Sequence, residues 1–193
     1  MKYAMRTHIG QRAHNEDRAC TPSAQDGLQF IAVSDGMGGH AAGEVASEIA
    51  VDVICDRAPA HPDASALGQA VEEANLAIIR AAREGVGRAG MGCTCTAAML
   101  EKDKLVIAQV GDSRAYLLHK GQMQQLTRDH SLVADLIEAG QITEAEARVH
   151  PQRSVITRAL GSDPRTQPDL FEITVEAGDR LLLCSDGLST MLE

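Results

Sequence analysis

Three apolar stretches of this 193-residue chain each run into an aspartate beside a glycine. Leu28-Gln29-Phe30-Ile31-Ala32-Val33 leads into Ser34-Asp35-Gly36, Leu105-Val106-Ile107-Ala108-Gln109-Val110 into Gly111-Asp112, and Leu181-Leu182-Leu183-Cys184 into Ser185-Asp186-Gly187. Each reads as a buried strand delivering a carboxylate at its C-terminal end. A single Asp-Gly is an ordinary turn signal. Three at the ends of strands sharing one core would converge, and unscreened carboxylates ~4 Å apart repel by about 4 kcal/mol at an effective dielectric of 20. Such a cluster protonates, separates or holds a cation. Oxygen ligands without His or Cys suit Mg²⁺ or Mn²⁺ rather than Zn²⁺. The glycines fit as well, because a residue without a side chain leaves its carbonyl open to an ion.

A further acidic pair lies in Asn15-Glu16-Asp17, with Arg12 ahead of it. By itself this is a solvated polar loop. Beside the other carboxylates, Glu16 and Asp17 would join a cation site, and Arg12 would present its planar fork to phosphate oxygens.

The elements that must position these residues follow from periodicity. Apolar residues recur at helical spacing over 43–57 and 64–84. Strands are expected at 28–33, 93–100, 105–110, 115–118, 169–175 and 180–184, with tight turns at Lys102-Asp103-Lys104 and His119-Lys120-Gly121-Gln122. Strands grouped between helices without regular alternation imply α+β. Residues 131–154 read as a polar, helical flap: Gly140-Gln141-Ile142 stops one helix, and Thr143-Glu144-Ala145-Glu146 is a capping box for the next.

Composition narrows the partners. A net charge of −9 argues against nucleic acid and anionic membranes, both of which need a basic footprint. No apolar run approaches a membrane span. The five cysteines, Cys20, Cys55, Cys93, Cys95 and Cys184, read as reduced thiols of a cytoplasmic protein.

Six motifs then occur in order: Arg12-x-x-Asn15-Glu16-Asp17, Asp35-Gly36-Met37-Gly38-Gly39-His40, Gly111-Asp112-Ser113-Arg114, Leu126-Thr127-Arg128-Asp129-His130-Ser131, Thr157-Arg158-Ala159-Leu160-Gly161 and Ser185-Asp186-Gly187-Leu188. From about residue 5 to its last residue the chain resembles bacterial-type members of the metal-dependent protein phosphatase family, type 2C. The resemblance implies a four-layer α-β-β-α sandwich with helices flanking two antiparallel sheets, as one catalytic domain over residues 1–193. It implies two Mn²⁺ or Mg²⁺ ions and a third, weaker one. Asp35 would bridge the pair, the Gly36 carbonyl would bind one ion and Asp186 the other. Glu16 and Asp17 would serve as ligands or as acceptors for nearby water, Asp112 with Asp186 would hold the third ion, and Arg12 would hold the phosphate. The implied reaction is hydrolysis of phosphoserine and phosphothreonine in proteins by water activated between two ions. The implied partners are phosphoproteins and a cognate serine/threonine kinase pathway.

There are two departures from the family pattern. Met37 stands where some relatives carry a histidine proposed as general acid, and His40, three residues on, reads as a capping or packing residue. A further Asp-Asn motif expected on a late strand is absent, so the sequence reads as cut short, with its last strands missing. There are two rival readings. One is a phosphoprotein-binding pseudophosphatase of weak or no activity. The other is a dinucleotide-binding enzyme, from Gly36-x-Gly38-x-x-Ala41 after an apolar strand.

Overall fold

Strand β2 (Gln29–Met37) alternates half-buried and buried side chains along its whole length. Phe30 and Ala32 face one apolar cluster, while Ile31, on the opposite face, packs against a second. A strand covered on both faces, one fully and one in part, needs a layer on each side, and the computed structural model, which describes residues 2–21, 29–39 and 42–192, supplies both.

The larger sheet runs β1-β2-β4-β5-β8, with β3 also paired to β2. Its strands are β1 (Asp17–Cys20), β2, β3 (Gly92–Cys93), β4 (Cys95–Glu101), β5 (Lys104–Val110) and β8 (Asp169–Thr174). The smaller sheet runs β7-β6-β9, from β6 (Arg114–His119), β7 (Gln122–Gln125) and β9 (Arg180–Cys184). Every pairing described is antiparallel. The βαβ unit that a dinucleotide fold requires is therefore not built around β2.

Helices α1 (Ala42–Arg57) and α2 (Ala64–Arg83) cover one face of the larger sheet, where Ala46, Ala50, Ile54, Leu67, Val71, Ala74 and Ile78 meet Ala97, Met99, Val106 and Ala108. Small residues on both sides allow close approach, which suits a chain with 2% aromatics. The other face meets the smaller sheet through Ala98, Leu105, Ile107 and Ala115, with Phe171, Ile173, Leu181 and Leu183 beside them. The order helix, sheet, sheet matches the expected sandwich. On the outer face of the smaller sheet Leu182 and Met123 are exposed, so the outermost helical layer is not among the described residues.

Beyond residue 130, α3 (Leu132–Glu138) is capped by Ser131, and α4 (Glu144–Arg148) by Thr143 with the predicted reciprocal bond to Glu146. The base of this segment is closed by a bridge between Ser131 and Ile156. The expected turns are present, with Lys102 and Lys120 both at positive φ.

Two strands were not expected. β1 is half-buried throughout, and β7 (Gln-Met-Gln-Gln) is fully exposed, so neither carries an apolar alternation. The reading of five reduced thiols also needs correction. Cys20 and Cys55 form a disulfide between the end of β1 and α1, two elements that pack together. Cys93, Cys95 and Cys184 are free and buried.

The first turn of α1 lies against the C-terminal end of β2 through two glycines. A Cβ on Gly43 would fall 2.6 Å from the Gly36 carbonyl carbon and 2.7 Å from Met37 N. Backbone cannot yield there. Glycine to alanine within a helix ordinarily gains up to about 1 kcal/mol. Gly43→Ala should instead lower stability by about 1–3 kcal/mol in chemical unfolding, as overpacking does; an unchanged or raised midpoint would show that the contact is not tight.

Candidate metal centre

Adjacent antiparallel strands place directly opposed residues on one face, with Cβ atoms about 4.5–5.5 Å apart. β1 and β2 oppose Asp17 to Asp35 in this way. Asp35 lies four residues beyond Ile31 and so shares its face, the one turned to the smaller sheet. The smaller sheet brings its own carboxylate, because β9 ends at Cys184 and Asp186 opens α5 (Asp186–Ser189). Ser185 Oγ donates to Asp17 Oδ2 at 2.8 Å, tying the end of β9 to β1. Asp112 follows β5 through Gly111, whose φ of +102° and contact with Thr94 both require glycine.

These aspartates act on one another. Burial raises the Asp35 carboxyl most, followed by the charges of Asp17 and Asp186, a hydrogen bond with Asp186, and the charge of Asp112, pushing it up to about 8. Asp112 is raised to about 6 by burial, then by Asp186 and Asp129, against partial relief from its own backbone and Arg114. Arg114 cannot neutralise the cluster, since its guanidinium is committed to Asp129 through bonds of 2.7 to 3.1 Å. The result is a concentration of acidic groups with no paired cation among the described residues.

Four of the acidic residues singled out in the sequence, Asp17, Asp35, Asp112 and Asp186, are therefore brought together. Glu16 is half-buried beside them, and its carbonyl accepts from Gly36 N–H at 3.1 Å and Ser47 Oγ at 2.6 Å. Arg12 sits in an exposed turn closed by its N–H on Ile9 O, and no hydrogen bond or ion pair links its guanidinium to the cluster among the described residues. His40 and Ala41 lie outside the described residues.

The donor set is made of carboxylates with neighbouring carbonyls, which suits a hard divalent cation. Among the described residues no three His, Cys, Asp or Glu side chains converge in ligating geometry. The aspartates interact pairwise instead, Asp35 with each of the other three and Asp112 also with Asp186.

Sequence reasoning overlooked the hydroxyls around these residues: Ser185 bonds the Asp17 carboxylate, Ser47 and Thr94 bond the main chain of Glu16 and Asp35, and Ser113 bonds Thr94. Their signal was present but faint, as polar residues interrupting apolar runs in Cys93-Thr94-Cys95-Thr96 and after Asp112.

The profile of the family Protein phosphatase 2C matches residues 6–193. The chain belongs to the protein phosphatase 2C family. The serine/threonine phosphatase stp of Listeria welshimeri is 40% identical over 200 residues, spanning 100% of this chain and 79% of that protein. Among solved structures, serine/threonine phosphatase Stp1 from Staphylococcus aureus superposes with a TM-score of 0.87 at 39% identity, covering 95% of this chain and 75% of that one. The catalytic domain of the serine/threonine protein phosphatase PstP, in complex with 2 manganese ions, gives a TM-score of 0.80 at 37% identity, covering 94% of this chain and 75% of that one. The order of six motifs in the sequence thus identified the family correctly, and the sandwich of this phosphatase 2C chain is the fold they implied.

The raised Asp35 carboxyl has a measurable consequence. The unfolded chain ionises this group near 3.8 and the folded chain near 8, so the fold binds the extra proton between these values. Metal-free stability should therefore fall as pH rises from about 4 through about 8. Added Mn²⁺ should raise the melting temperature most at the upper end, where the repulsion is unrelieved. A stabilisation by Mn²⁺ that is equal at both ends would show that the charge cluster is not where the ion acts.

Proposed function

We propose that this chain hydrolyses phosphoserine and phosphothreonine in proteins, using divalent cations held by the Asp35 cluster. The observation that carries the reading is that Asp17, Asp112 and Asp186 each raise the buried Asp35 carboxyl, with no basic group paired to it among the described residues. Two Mn²⁺ or Mg²⁺ ions bound there would supply Lewis acidity toward phosphate oxygens and a water made acidic enough to attack at neutral pH.

The residues of the chain take the remaining roles. Asp35 interacts with each of the other three aspartates and would be the carboxylate suited to bridging two ions. The Gly36 carbonyl would bind one of them and Asp186 the other. Asp17, held by Ser185, and Glu16, held by its backbone at the end of β2, complete the acidic wall. Asp112, close to Asp186, would hold the weaker third ion. Arg12 is exposed and unpaired among the described residues, so it is free to bind the substrate phosphate. Residues 131–154, tied to the core at Ser131 and Ile156, would form a flap that meets the protein substrate.

Attack by a protein thiol has no support. Cys93 is fully buried and its thiol is pushed up to about 12 by that burial, and Cys95 is raised further in the same environment. Neither could present a thiolate near neutral pH. Direct attack by water leaves no covalent enzyme intermediate.

The protein partners follow from this chemistry: phosphorylated proteins and the serine/threonine kinase pathway that produces them. No described helix is long and apolar enough to cross a membrane.

The test uses p-nitrophenyl phosphate and a phosphothreonine peptide, with and without Mn²⁺. Hydrolysis should require the ion and stop with chelator. Asp35→Ala should reduce kcat by more than about 100-fold, beyond what loss of a supporting residue causes. Arg12→Ala should act chiefly on KM. Undiminished hydrolysis by Asp35→Ala would end this reading. Phosphopeptide binding without turnover, in Mn²⁺-loaded protein, would favour the pseudophosphatase.

A further inference from the structure

Behind Asp35 the hydrogen bonding departs from a regular sheet ladder. Thr94, between β3 and β4, stands opposite Asp35 and donates its N–H to the Asp35 carbonyl at 2.8 Å. In return Asp35 N–H does not go to a carbonyl; it donates to the Thr94 side chain, Oγ1, at 2.9 Å. The Thr94 carbonyl thus released accepts from Ser34 Oγ at 2.7 Å. The Thr94 hydroxyl continues to Ser113 Oγ at 2.7 Å, and Ser113 directly follows Asp112. Thr94 and Ser113 are both wholly buried. One hydroxyl pair therefore connects the main chain of Asp35 to the turn that bears Asp112.

That turn is clamped on its other sides as well. Thr96 Oγ1 donates to Ser113 O at 2.8 Å, and Gln109 Nε2 donates to Gly111 O at 3.0 Å and Ser113 O at 3.2 Å. Both carbonyls can only accept, so the Gln109 amide must turn its NH₂ toward them. Its Oε1 is consequently buried with no partner among the described residues. A Cβ on Gly111 would fall 2.6 Å from Thr94 Cγ2, so the Thr94 methyl is seated directly on the turn. A plain antiparallel ladder with apolar side chains would join these strands without leaving an amide oxygen unmatched. It would not fix the strand end and the turn relative to each other.

We propose that Thr94 is a positioning residue for the carboxylate cluster: its hydroxyl, relayed through Ser113, sets the spacing between Asp35 and Asp112. The proposal rests on the metal-dependent reading of that cluster. Thr94 and Ser113 are wholly buried, so both act through the aspartates they place.

Three variants test it: Thr94→Val, which keeps the shape and removes the hydroxyl; Thr94→Ser, which keeps the hydroxyl; and Ser113→Ala, which leaves the Asp35 N–H bond intact. The readouts are Mn²⁺ affinity by titration calorimetry, the metal-free melting temperature, and kcat and KM on p-nitrophenyl phosphate. Thr94→Val should weaken Mn²⁺ binding by about 10- to 100-fold and lower kcat with little change in KM, as loss of ligand-orienting partners does. Thr94→Ser should restore both to near the unaltered values. Ser113→Ala should weaken Mn²⁺ binding without lowering the melting temperature to match. Unchanged Mn²⁺ affinity in Thr94→Val, or equal loss in Thr94→Ser, overturns the proposal. If Thr94→Val does not fold, unchanged affinity in Ser113→Ala overturns it. Failure of the unaltered chain to bind Mn²⁺ would instead overturn the metal reading itself, before any variant is compared.

Discussion

Like charges set directly opposite each other on neighbouring strands destabilise a sheet. This chain places Asp17 opposite Asp35, then adds Asp186 from the second sheet and Asp112 from the end of β5. Burial compounds the repulsion, because a partly desolvated carboxylate loses hydration that its neighbours cannot replace. Proton uptake relieves the charge in the isolated chain. A divalent cation would relieve it more completely and convert an unfavourable cluster into a site. Much of the local structure can be understood as keeping these groups together against their tendency to part.

Opposite the cluster, the larger sheet is backed by α1 and α2 through a layer rich in alanine and small aliphatic residues. The glycine contact between α1 and β2 brings helix and strand to backbone distance at the residue following Asp35. From the other side, β9 reaches across the sandwich and is fastened to β1 by Ser185 and Asp17. The carboxylates thus come from two sheets whose relative position is set by the core between them.

The strand ends were legible because burial and charge are written in adjacent residues: an apolar run followed by Asp and Gly is visible without coordinates. Helices α1 and α2 were legible to within a residue of their ends, and the Thr143 capping box was found where its residues predicted. β7 was illegible because all four of its residues are exposed and none needs to be apolar. β1 was hidden for a related reason, since it is an edge strand whose side chains are neither buried nor fully free. The Cys20–Cys55 pair depends on β1 meeting α1 across 35 residues, a proximity that no local pattern encodes. The hydroxyls around the cluster were missed because threonine suits a strand by propensity alone, which masked what Thr94 and Thr96 bond to.

The most direct test is to locate manganese itself. An anomalous difference map from crystals grown with Mn²⁺ should show two peaks about 3.5–4 Å apart, with the Asp35 carboxylate between them. Asp186 and the Gly36 carbonyl should then lie on opposite members of the pair. No anomalous density at Asp35, or manganese bound only on another face of the molecule, would contradict the assignment of this acidic cluster as the metal centre.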